Sequence, residues 1–302
     1  METNKRDVSA RIQFCADKML PKMRKCLEKK DTNQCKVYPA IELETGVMVA
    51  TTGYVLAAHK LKDYHFDPSD GAMLGDMVLL PLEVLKMKGT ITVEVVIEKN
   101  GFPVVTATDE NGTTGKVCEL ANYPKWRTAF PKTTGVPVNV DYKAWDAALK
   151  EIIQKLDSEV YSVRLYGEQN SKTLSINWET YDGEEKGFKE VNVGEMPYKV
   201  HVSLNGKRLR NMMAFGPTSM RFVEYSRAVM FYNDDTMLLM MPLIGEDNVI
   251  CSVEEQYREP FDLKKWIGER EPIVLVDSRE PETPTHEQTL AERLRAVLLA
   301  AA

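Results

Sequence analysis

The sequence predicts an α+β protein that contains two tandem copies of one structural unit. Strands and helices follow the same order in both halves of the 302-residue chain. Alternating apolar residues around the Asn-Gly pairs at 100–101 and 111–112 indicate antiparallel hairpins. A segment that contains the breakers Pro124, Pro131 and Gly135 is interpreted as the linker between the copies.

The first copy, residues 1–130, is predicted as strand, helix, two strands, helix and three strands. The corresponding segments are 10–15, 17–30, 37–44, 46–53, 80–89 and 90–120. Asp17 is expected to cap the first helix, and Pro21 is tolerated because it falls near the first turn. Both helices are expected to pack on antiparallel sheets.

The second copy, residues 131–245, repeats the order with a strand, a helix, a hairpin, a helix and three strands. The corresponding segments are 136–141, 142–156, 160–181, 203–216 and 218–243. Residues 246–302 carry 13 acidic and 7 basic side chains and are rich in Pro and Glu, which predicts an extended or weakly ordered C-terminal extension. An amphipathic helix is expected to end it, with an apolar face made of Leu290, Leu294, Val297 and Leu298.

The composition argues against several classes of protein. No apolar run approaches the roughly 18 residues of a membrane span, and no hydrophobic signal segment follows the first methionine, so a cytoplasmic location is expected. The five cysteines contain no Cys-x-x-Cys pair, which argues against a disulfide framework or a structural zinc. The four histidines lack metal-ligand spacing. We therefore expect no metal, no cofactor and no enzymatic activity.

Positive charge is concentrated in the predicted helices. Residues 18–30, 80–89, 142–156 and 203–214 of the predicted helices together carry a net charge of +10, whereas the rest of the chain carries −16. Lysines at 18, 22, 25 and 29 also recur along one face of the first helix. Such a stripe is either a solvated face or a surface that follows phosphates. Because all four helices are positive in an acidic protein, we predict sequence-independent contact with duplex DNA. The candidate contacts are Lys18, Lys22, Arg24, Lys25, Lys29, Lys86, Lys88, Lys150, Lys207, Arg208 and Arg210.

Four segments resemble parts of the bacterial DNA sliding clamps, the β subunits of DNA polymerase III. VATTGYVLAAHKL resembles the family's ATDGHRLA segment, and YPKWRTAFPK resembles its FPDYRRVLPK linker. VRLYGEQNSKTLSI resembles a strand pair of its last domain, and LLMMPL its closing VVMPM. The resemblance implies the DNA-clamp fold, with helices lining a ring around DNA. The family's usual chain has three domains, and the resemblance implies that this chain corresponds to the second and third of them, so a homotrimer is expected rather than a dimer.

The resemblance also implies an apolar pocket that accepts short peptides from a DNA polymerase, a clamp loader and other partners. In the clamps this pocket lies where the ATDGHRL turn, the linker and the Met-Pro segment meet. Core packing at a domain junction is the alternative role for each residue. The implied pocket residues are Thr51, Gly53, Tyr54, Leu56, Pro124, Ala129, Leu239, Met240, Met241, Pro242 and Leu243.

Two functions remain open from the sequence. The first is a polymerase processivity factor that encircles duplex DNA as a ring, in the cytoplasm and associated with the nucleoid. The second is a clamp-like adaptor or decoy that binds replication proteins without encircling DNA. Because residues 246–302 continue beyond the Met-Pro segment, we also expect this extension to fold near the pocket or to recruit a partner.

Overall fold

The protein is built from antiparallel sheets with few helices. The computed structural model describes residues 8–27, 37–69, 75–98, 101–118, 123–155, 162–180, 183–223, 228–243 and 253–268. These residues form nineteen strands in four sheets, together with short α-helices and 3-10 helices. In these ranges, none of the helices combines the length and the apolar character that a membrane span requires.

Nine of the described strands precede the linker. They are β1 (Ala10–Cys15), β2 (Ala40–Glu42), β3 (Val47–Thr51), β4 (Val55–Lys60), β5 (Lys62–Pro68), β6 (Met77–Leu79), β7 (Thr90–Ile97), β8 (Pro103–Asp109) and β9 (Thr114–Val117). The helical segments of this half are α1 (Leu20–Met23) and 3-10 helices at Arg24–Cys26 and Leu82–Lys86. The linker contains a further 3-10 helix, Trp126–Ala129.

The second half and the C-terminal extension supply the other described elements. The strands are β10 (Thr133–Gly135), β11 (Val138–Asn139), β12 (Ser162–Gly167), β13 (Thr173–Glu179), β14 (Lys186–Asn192), β15 (Val200–Asn205), β16 (Ser219–Arg221), β17 (Val229–Tyr232), β18 (Thr236–Met240) and β19 (Arg258–Pro260). The helices are α2 (Tyr142–Lys155), α3 (Gly206–Met213), the 3-10 helix Glu255–Tyr257 and α4 (Leu263–Ile267).

The two halves share one topology. In the first half the strands between the helical segments pair in the order β4-β3-β2-β6, and the outer strands pair in the order β1-β7-β8-β9, with β5 added beside β1. The matching orders in the second half are β14-β13-β12-β15 and β11-β16-β17-β18. The predicted α+β repeat is therefore confirmed in its strand order, with more strands between the helices than the sequence indicated. The proposed boundaries at residues 130 and 245 stay predictions.

One eight-stranded sheet joins the two halves. It forms because β18 pairs with β4, with Leu239 opposite Leu56. Phe231 of β17, which lies opposite Leu238, packs edge-on against Trp145 of α2. One face of the sheet is therefore covered by helix. Leu239 and Leu56 point to the other face, because neighbouring side chains alternate along a strand.

The first-half helices are shorter than predicted. In place of a helix over 17–30, α1 is a single turn that continues as the 3-10 helix Arg24–Cys26, and Leu27 is extended. An α-helix this short is not stable through its own hydrogen bonds. It is held by packing on the 3-10 helix Leu82–Lys86, which replaces the predicted helix 80–89. The helix predicted over 142–156 is confirmed as α2. The helix predicted over 203–216 is present as the shorter α3, because residues 203–205 belong to β15 and Asn205 caps the helix.

A buried histidine anchors α1 to the joint between the halves. Asp17 accepts hydrogen bonds from the amides of Met19 (2.7 Å) and Leu20 (3.3 Å), as the sequence predicted for a cap. Its other carboxylate oxygen lies 3.0 Å from His59 Nε2, and His59 Nδ1 lies 2.9 Å from Thr236 Oγ1 of β18. His59 therefore connects the start of α1 with both strands of the joint.

The C-terminal extension is partly ordered, which corrects the prediction of an extended or weakly ordered segment. Residues 253–268 contain β19, which pairs with β10, and α4. Ile267 is buried, and Trp266 Nε1 donates to the Asn233 carbonyl at 3.1 Å. Aromatic and apolar side chains in this stretch outweigh the acidic composition of the extension as a whole. The amphipathic helix predicted near residues 285–298 lies outside the described residues.

Candidate functional site

The turn between β3 and β4 is fixed by its own threonines and glycine. Thr51 Oγ1 donates to the Val55 carbonyl (2.8 Å) and accepts from the Gly53 amide (3.0 Å). Thr52 Oγ1 accepts from the Val55 amide (3.2 Å). Gly53 has φ +83°, which a residue with a Cβ adopts only with strain. This tight turn places Tyr54 at the surface beside the joint.

A pocket of about 280 Å³ opens beside this turn. Leu56 and Leu239 form its floor on the face of the joint sheet that α2 does not cover. The linker residues Tyr123, Pro124 and Trp126 form a second wall. The pocket is mostly apolar, and therefore suits a short apolar segment of a ligand rather than a charged one.

Buried polar contacts hold the linker wall. Tyr123 Oη donates to the Val49 carbonyl (3.1 Å), and Trp126 Nε1 donates to Glu42 Oε1 (3.2 Å). Arg127 makes a two-pronged contact with the same carboxylate, at 2.7 Å and 2.8 Å. The hydrogen bonds and charge of Glu42 raise the pKa of Arg127 against the effect of burial. The wall is thus attached to β2 and β3, far away in the sequence.

The structure brings together eight of the eleven predicted pocket residues. They are Thr51, Gly53, Tyr54, Leu56, Pro124, Ala129, Leu239 and Met241. The other three do not line the cavity. Met240 is buried on the opposite face of β18, since it follows Leu239 in the strand, and Pro242 and Leu243 continue past the pocket.

Sequence reasoning missed six lining residues. Two of them are aromatic and stand in the linker, where YPKW offers two large rings between breakers, so this composition was the available signal. No local pattern marks the other four. The six are Val55, Tyr123, Lys125, Trp126, Thr128 and Ala228.

The rim of the pocket includes exposed apolar side chains, and a cation of α3 lies beside it. Tyr54 is 58% exposed and Met241 is 42% exposed, and the Met241 amide donates to the Tyr54 carbonyl at 2.9 Å. The Arg208 guanidinium of α3 lies 4.5 Å from the centre of the Tyr54 ring. Arg208, which the sequence predicted as a DNA contact, therefore lies beside the pocket in this structure.

The predicted DNA contacts fall into two groups. Seven are exposed, namely Lys18, Arg24, Lys25, Lys86, Lys88, Lys150 and Lys207. Three are partly buried: Lys22, Arg208 and Arg210, of which Arg210 donates to Asp146 at 3.0 Å. Lys29 lies outside the described residues.

The cations of the first half are crowded around α1. Burial, followed by the charges of Lys18 and Lys25, lowers the pKa of Lys22. The 3-10 helix that carries Lys86 packs directly on α1. These side chains therefore form a cationic surface on the first half. Within the described ranges, no cluster of three or more acidic, His or Cys residues is arranged to hold a metal ion.

Solved bacterial sliding clamps share this arrangement of strands. The β sliding clamp of Caulobacter crescentus matches with a TM-score of 0.62 and 15% identity, over 81% of this chain and 67% of the clamp. The chain has the sliding-clamp fold. A second clamp, from Helicobacter pylori and bound to a DNA ligase peptide, matches with a TM-score of 0.62 and 17% identity, over 81% of this chain and 68% of that one.

The match to the clamp fold extends to other bacteria. The sliding clamp of Pseudomonas aeruginosa has a TM-score of 0.61 and 17% identity, over 79% of this chain and 68% of its own. No protein-family model and no curated protein matches the sequence. The clamp fold is therefore visible in the order and pairing of strands, although few residues are shared. In this clamp-fold chain, the pocket lies at the sheet that joins the two halves.

Proposed function

We propose that the protein is a DNA sliding clamp, a ring that encircles duplex DNA and binds partner peptides in the pocket at its joint. The single observation that carries this proposal is the β4–β18 pairing, because it provides a pattern for joining further copies. On this proposal the protein is a binding scaffold without a catalytic role.

The joint within the chain indicates which strands join two chains. β4 is the edge of the inner strand set of the first half, and β18 is the edge of the outer strand set of the second half. The strands in the matching positions are β14 and β9, and among the described strands each pairs on one side only. Pairing β14 of one copy with β9 of the next repeats the joint.

Repetition of this joint gives a head-to-tail assembly. It closes into a ring when the rotation from one copy to the next divides a full turn into a whole number of steps. With two units in each chain, three chains supply the six units of the proposed ring. Such a trimer of 34.3 kDa chains has a mass of about 103 kDa. Residues at β9 and β14 then decide whether the ring forms.

The cationic surface supports DNA as the molecule inside the ring. Lys25 and Lys86 are exposed on the packed 3-10 helices of the first half, and Lys18 and Lys88 are exposed within two residues of its helical segments. Contacts of lysine with phosphate need no base-reading side chain, and therefore suit a protein that moves along any sequence. The acidic remainder of the chain opposes binding elsewhere.

The pocket supports peptide binding. Its floor is apolar, its linker wall is rigidly attached to Glu42, and its rim presents Tyr54 and Met241. The Helicobacter pylori clamp of the same fold is bound to a DNA ligase peptide. We propose that segments of a DNA polymerase and a clamp loader bind here in the same manner.

One observation favours the alternative, an adaptor that does not encircle DNA. The edge strands carry lysines, Lys116 in β9 and Lys186 and Lys189 in β14, all of them exposed. Lysines on edge strands are a common means of preventing strand pairing between copies. Lys189 forms an ion pair with Glu151 at 2.6 Å. This pair compensates one of the three charges and so reduces the repulsion that opposes pairing of β14 with β9.

Solution mass separates the two functions. Phe188 of β14 is 63% exposed on the proposed joining strand, whereas Phe102 is 46% exposed in the turn between β7 and β8. We expect about 103 kDa for the wild type and for Phe102→Glu, and 34.3 kDa for Phe188→Glu. A wild-type monomer, or a Phe188→Glu trimer, would contradict the ring.

Topology on DNA provides the functional test. A ring that surrounds the duplex stays on closed circular DNA during gel filtration and is lost once the circle is cut, because nothing then blocks sliding off the ends. Equal retention on circular and linear DNA would show ordinary binding, and no retention would favour the adaptor.

A further inference from the structure

The C-terminal segment, defined here as residues 253–268, lies on the same sheet face as the pocket. Arg221 of β16 lies opposite Met230, which in turn lies opposite Leu239, so Arg221 points to the pocket face. Its guanidinium contacts Glu259 and lies 5.8 Å from the centre of the Phe261 ring. The segment therefore covers sheet surface that continues directly from the pocket floor.

One end of the segment is hydrogen-bonded to the linker and packs on it. β19 pairs with β10, with Glu259 opposite Thr134, and the Phe261 amide donates to the Lys132 carbonyl at 2.9 Å. The Phe261 ring stacks on Phe130, with 6.5 Å between ring centroids. Phe130 is the residue that directly follows the linker helix Trp126–Ala129.

A chain of ring contacts leads from the C-terminal segment through the linker to the pocket wall. Phe130 packs edge-on against Trp126 at 5.7 Å, and Trp126 lines the pocket. Thr128 lines the pocket and also a second cavity of about 490 Å³, on whose far side Val253 and Arg258 lie. The C-terminal segment supplies no lining residue of the pocket itself, yet only one ring separates Phe261 from the wall.

The other end of the segment is attached to both halves of the protein. Lys60 of β4 donates to the Trp266 carbonyl at 2.6 Å and lies 4.7 Å from the centre of its ring. Trp266 donates in turn to the Asn233 carbonyl, in the turn before β18. Tyr257 Oη accepts from Gln169 at 2.6 Å. The segment is therefore attached to the linker at one end and to the turn before β18 and to β4 at the other.

We propose that the C-terminal segment sets the shape of the linker wall, and that Phe261 is a positioning residue for peptide binding. This inference rests on the proposed function of the pocket. Phe261 acts through Phe130 and Trp126 and does not touch the peptide. Loss of its ring lets the linker helix relax, so the wall must be re-ordered whenever a peptide binds.

The test compares three variants of the full chain. Phe261→Ala removes the ring, Phe261→Leu keeps apolar volume at the same place, and Trp266→Ala removes an aromatic side chain at the far end of the segment. Hydrogen exchange of the amides of residues 123–130 reports the linker wall without any ligand. Fluorescence anisotropy with a labelled form of the DNA ligase peptide that binds the Helicobacter pylori clamp reports binding.

Phe261→Ala is expected to speed exchange in residues 123–130 and to weaken peptide binding about three- to tenfold, the range that one aromatic pair supports. Phe261→Leu should recover most of both effects. Trp266→Ala should leave both at wild-type values while it lowers the melting temperature, which separates positioning from general destabilisation.

Two results would overturn the inference: unchanged linker exchange in Phe261→Ala, or equal effects of Phe261→Ala and Trp266→Ala on the linker and on affinity. Failure of the proposed function gives a different pattern. If the wild type does not bind the peptide while the Helicobacter pylori clamp does, the pocket proposal fails, and linker exchange alone decides whether Phe261 positions the wall.

Discussion

The helical layers of the two halves differ although their strands follow one order. In the second half, α2 and α3 have 14 and 8 residues, and Asn205 caps α3 through the Arg208 amide. In the first half, α1 has four residues and the other helical segments are 3-10 turns. The fold is therefore specified by strand pairing across the sheets. Helix length is free to vary as long as the sheet face is covered.

The charges of the two helical layers differ in the same way. Within the described part of the chain, Lys18 and Lys25 of the first half take part in no ion pair. In the second half, Arg210 is bound to Asp146, and Arg208 lies over Tyr54. Cations that are already engaged gain less from a phosphate. We therefore expect the first half to dominate DNA binding.

The largest predicted effect is on DNA affinity. Lys18→Ala together with Lys25→Ala removes two phosphate contacts, which weakens binding about 60-fold at 0.1 M salt and lowers the salt slope by about 1.8. Arg208→Ala together with Arg210→Ala should cost less than about eightfold. Titration of a fluorescent duplex at several salt concentrations measures both pairs. Equal losses would remove the difference between the halves.

The next predicted effect is on stability, and it compares the residues that cap the first helix of each half. Asp17→Ala loses a cap and leaves buried His59 without its carboxylate, which should lower the free energy of unfolding by about 2–3 kcal/mol. Asp141 caps α2 through the amides of Lys143 and Ala144 alone, so Asp141→Ala should cost about 1 kcal/mol. Urea unfolding measures both. A cost for Asp141→Ala as large as that for Asp17→Ala would contradict the anchoring role of His59.

The pH dependence of the free energy of unfolding tests the role of Asp17 further. Burial by itself raises the pKa of Asp17, but the hydrogen bond and charge of His59 and the amides of Met19 and Leu20 outweigh it and bring the pKa below its ordinary value. A carboxyl with a lowered folded pKa stabilises the protein fully above its unfolded pKa, and loses that contribution as the pH falls through the folded pKa. The stability advantage of the wild type over Asp17→Asn should therefore be constant above pH ~5 and shrink below pH ~4. An advantage that is constant throughout this range would contradict the shift.

The smallest predicted effect is a gain in DNA affinity, opposite in sign to the loss predicted for the lysine variants. Asp146→Ala releases Arg210 from a partly exposed ion pair, so the free energy of unfolding should change by less than about 1 kcal/mol. DNA affinity should rise, by less than about eightfold, because one more cation becomes available to phosphate. The same duplex titration measures it. Weaker DNA binding by this variant would mean that Arg210 does not face the DNA.

Hairpins with local signals could be predicted, whereas the strands β4, β5, β6, β14 and β15 were not. Alternation of apolar residues and Asn-Gly turns place the hairpin of β8 and β9 without knowledge of any distant contact. The short length of α1 could not be predicted, because the lysine-rich sequence favours a longer helix while only one turn packs on Leu82–Lys86. Tertiary contacts override local propensity there.

The pocket was predictable on one side and not on the other. The β3–β4 turn carries its geometry in Thr51 and Gly53, and was therefore visible in the sequence. The linker wall depends on contacts of Trp126 and Arg127 with Glu42, which is more than 80 residues away. The ordered part of the C-terminal extension was hidden because composition averaged over a long acidic segment conceals a short stretch that packs through Phe261.

Particle images of the wild-type protein by electron microscopy test the central claim most directly. If the β4–β18 joint is repeated between β14 of one chain and β9 of the next, the images will show closed rings of three chains around a hole wide enough for a double helix. Single chains, or open head-to-tail arrays without a hole, would contradict the account.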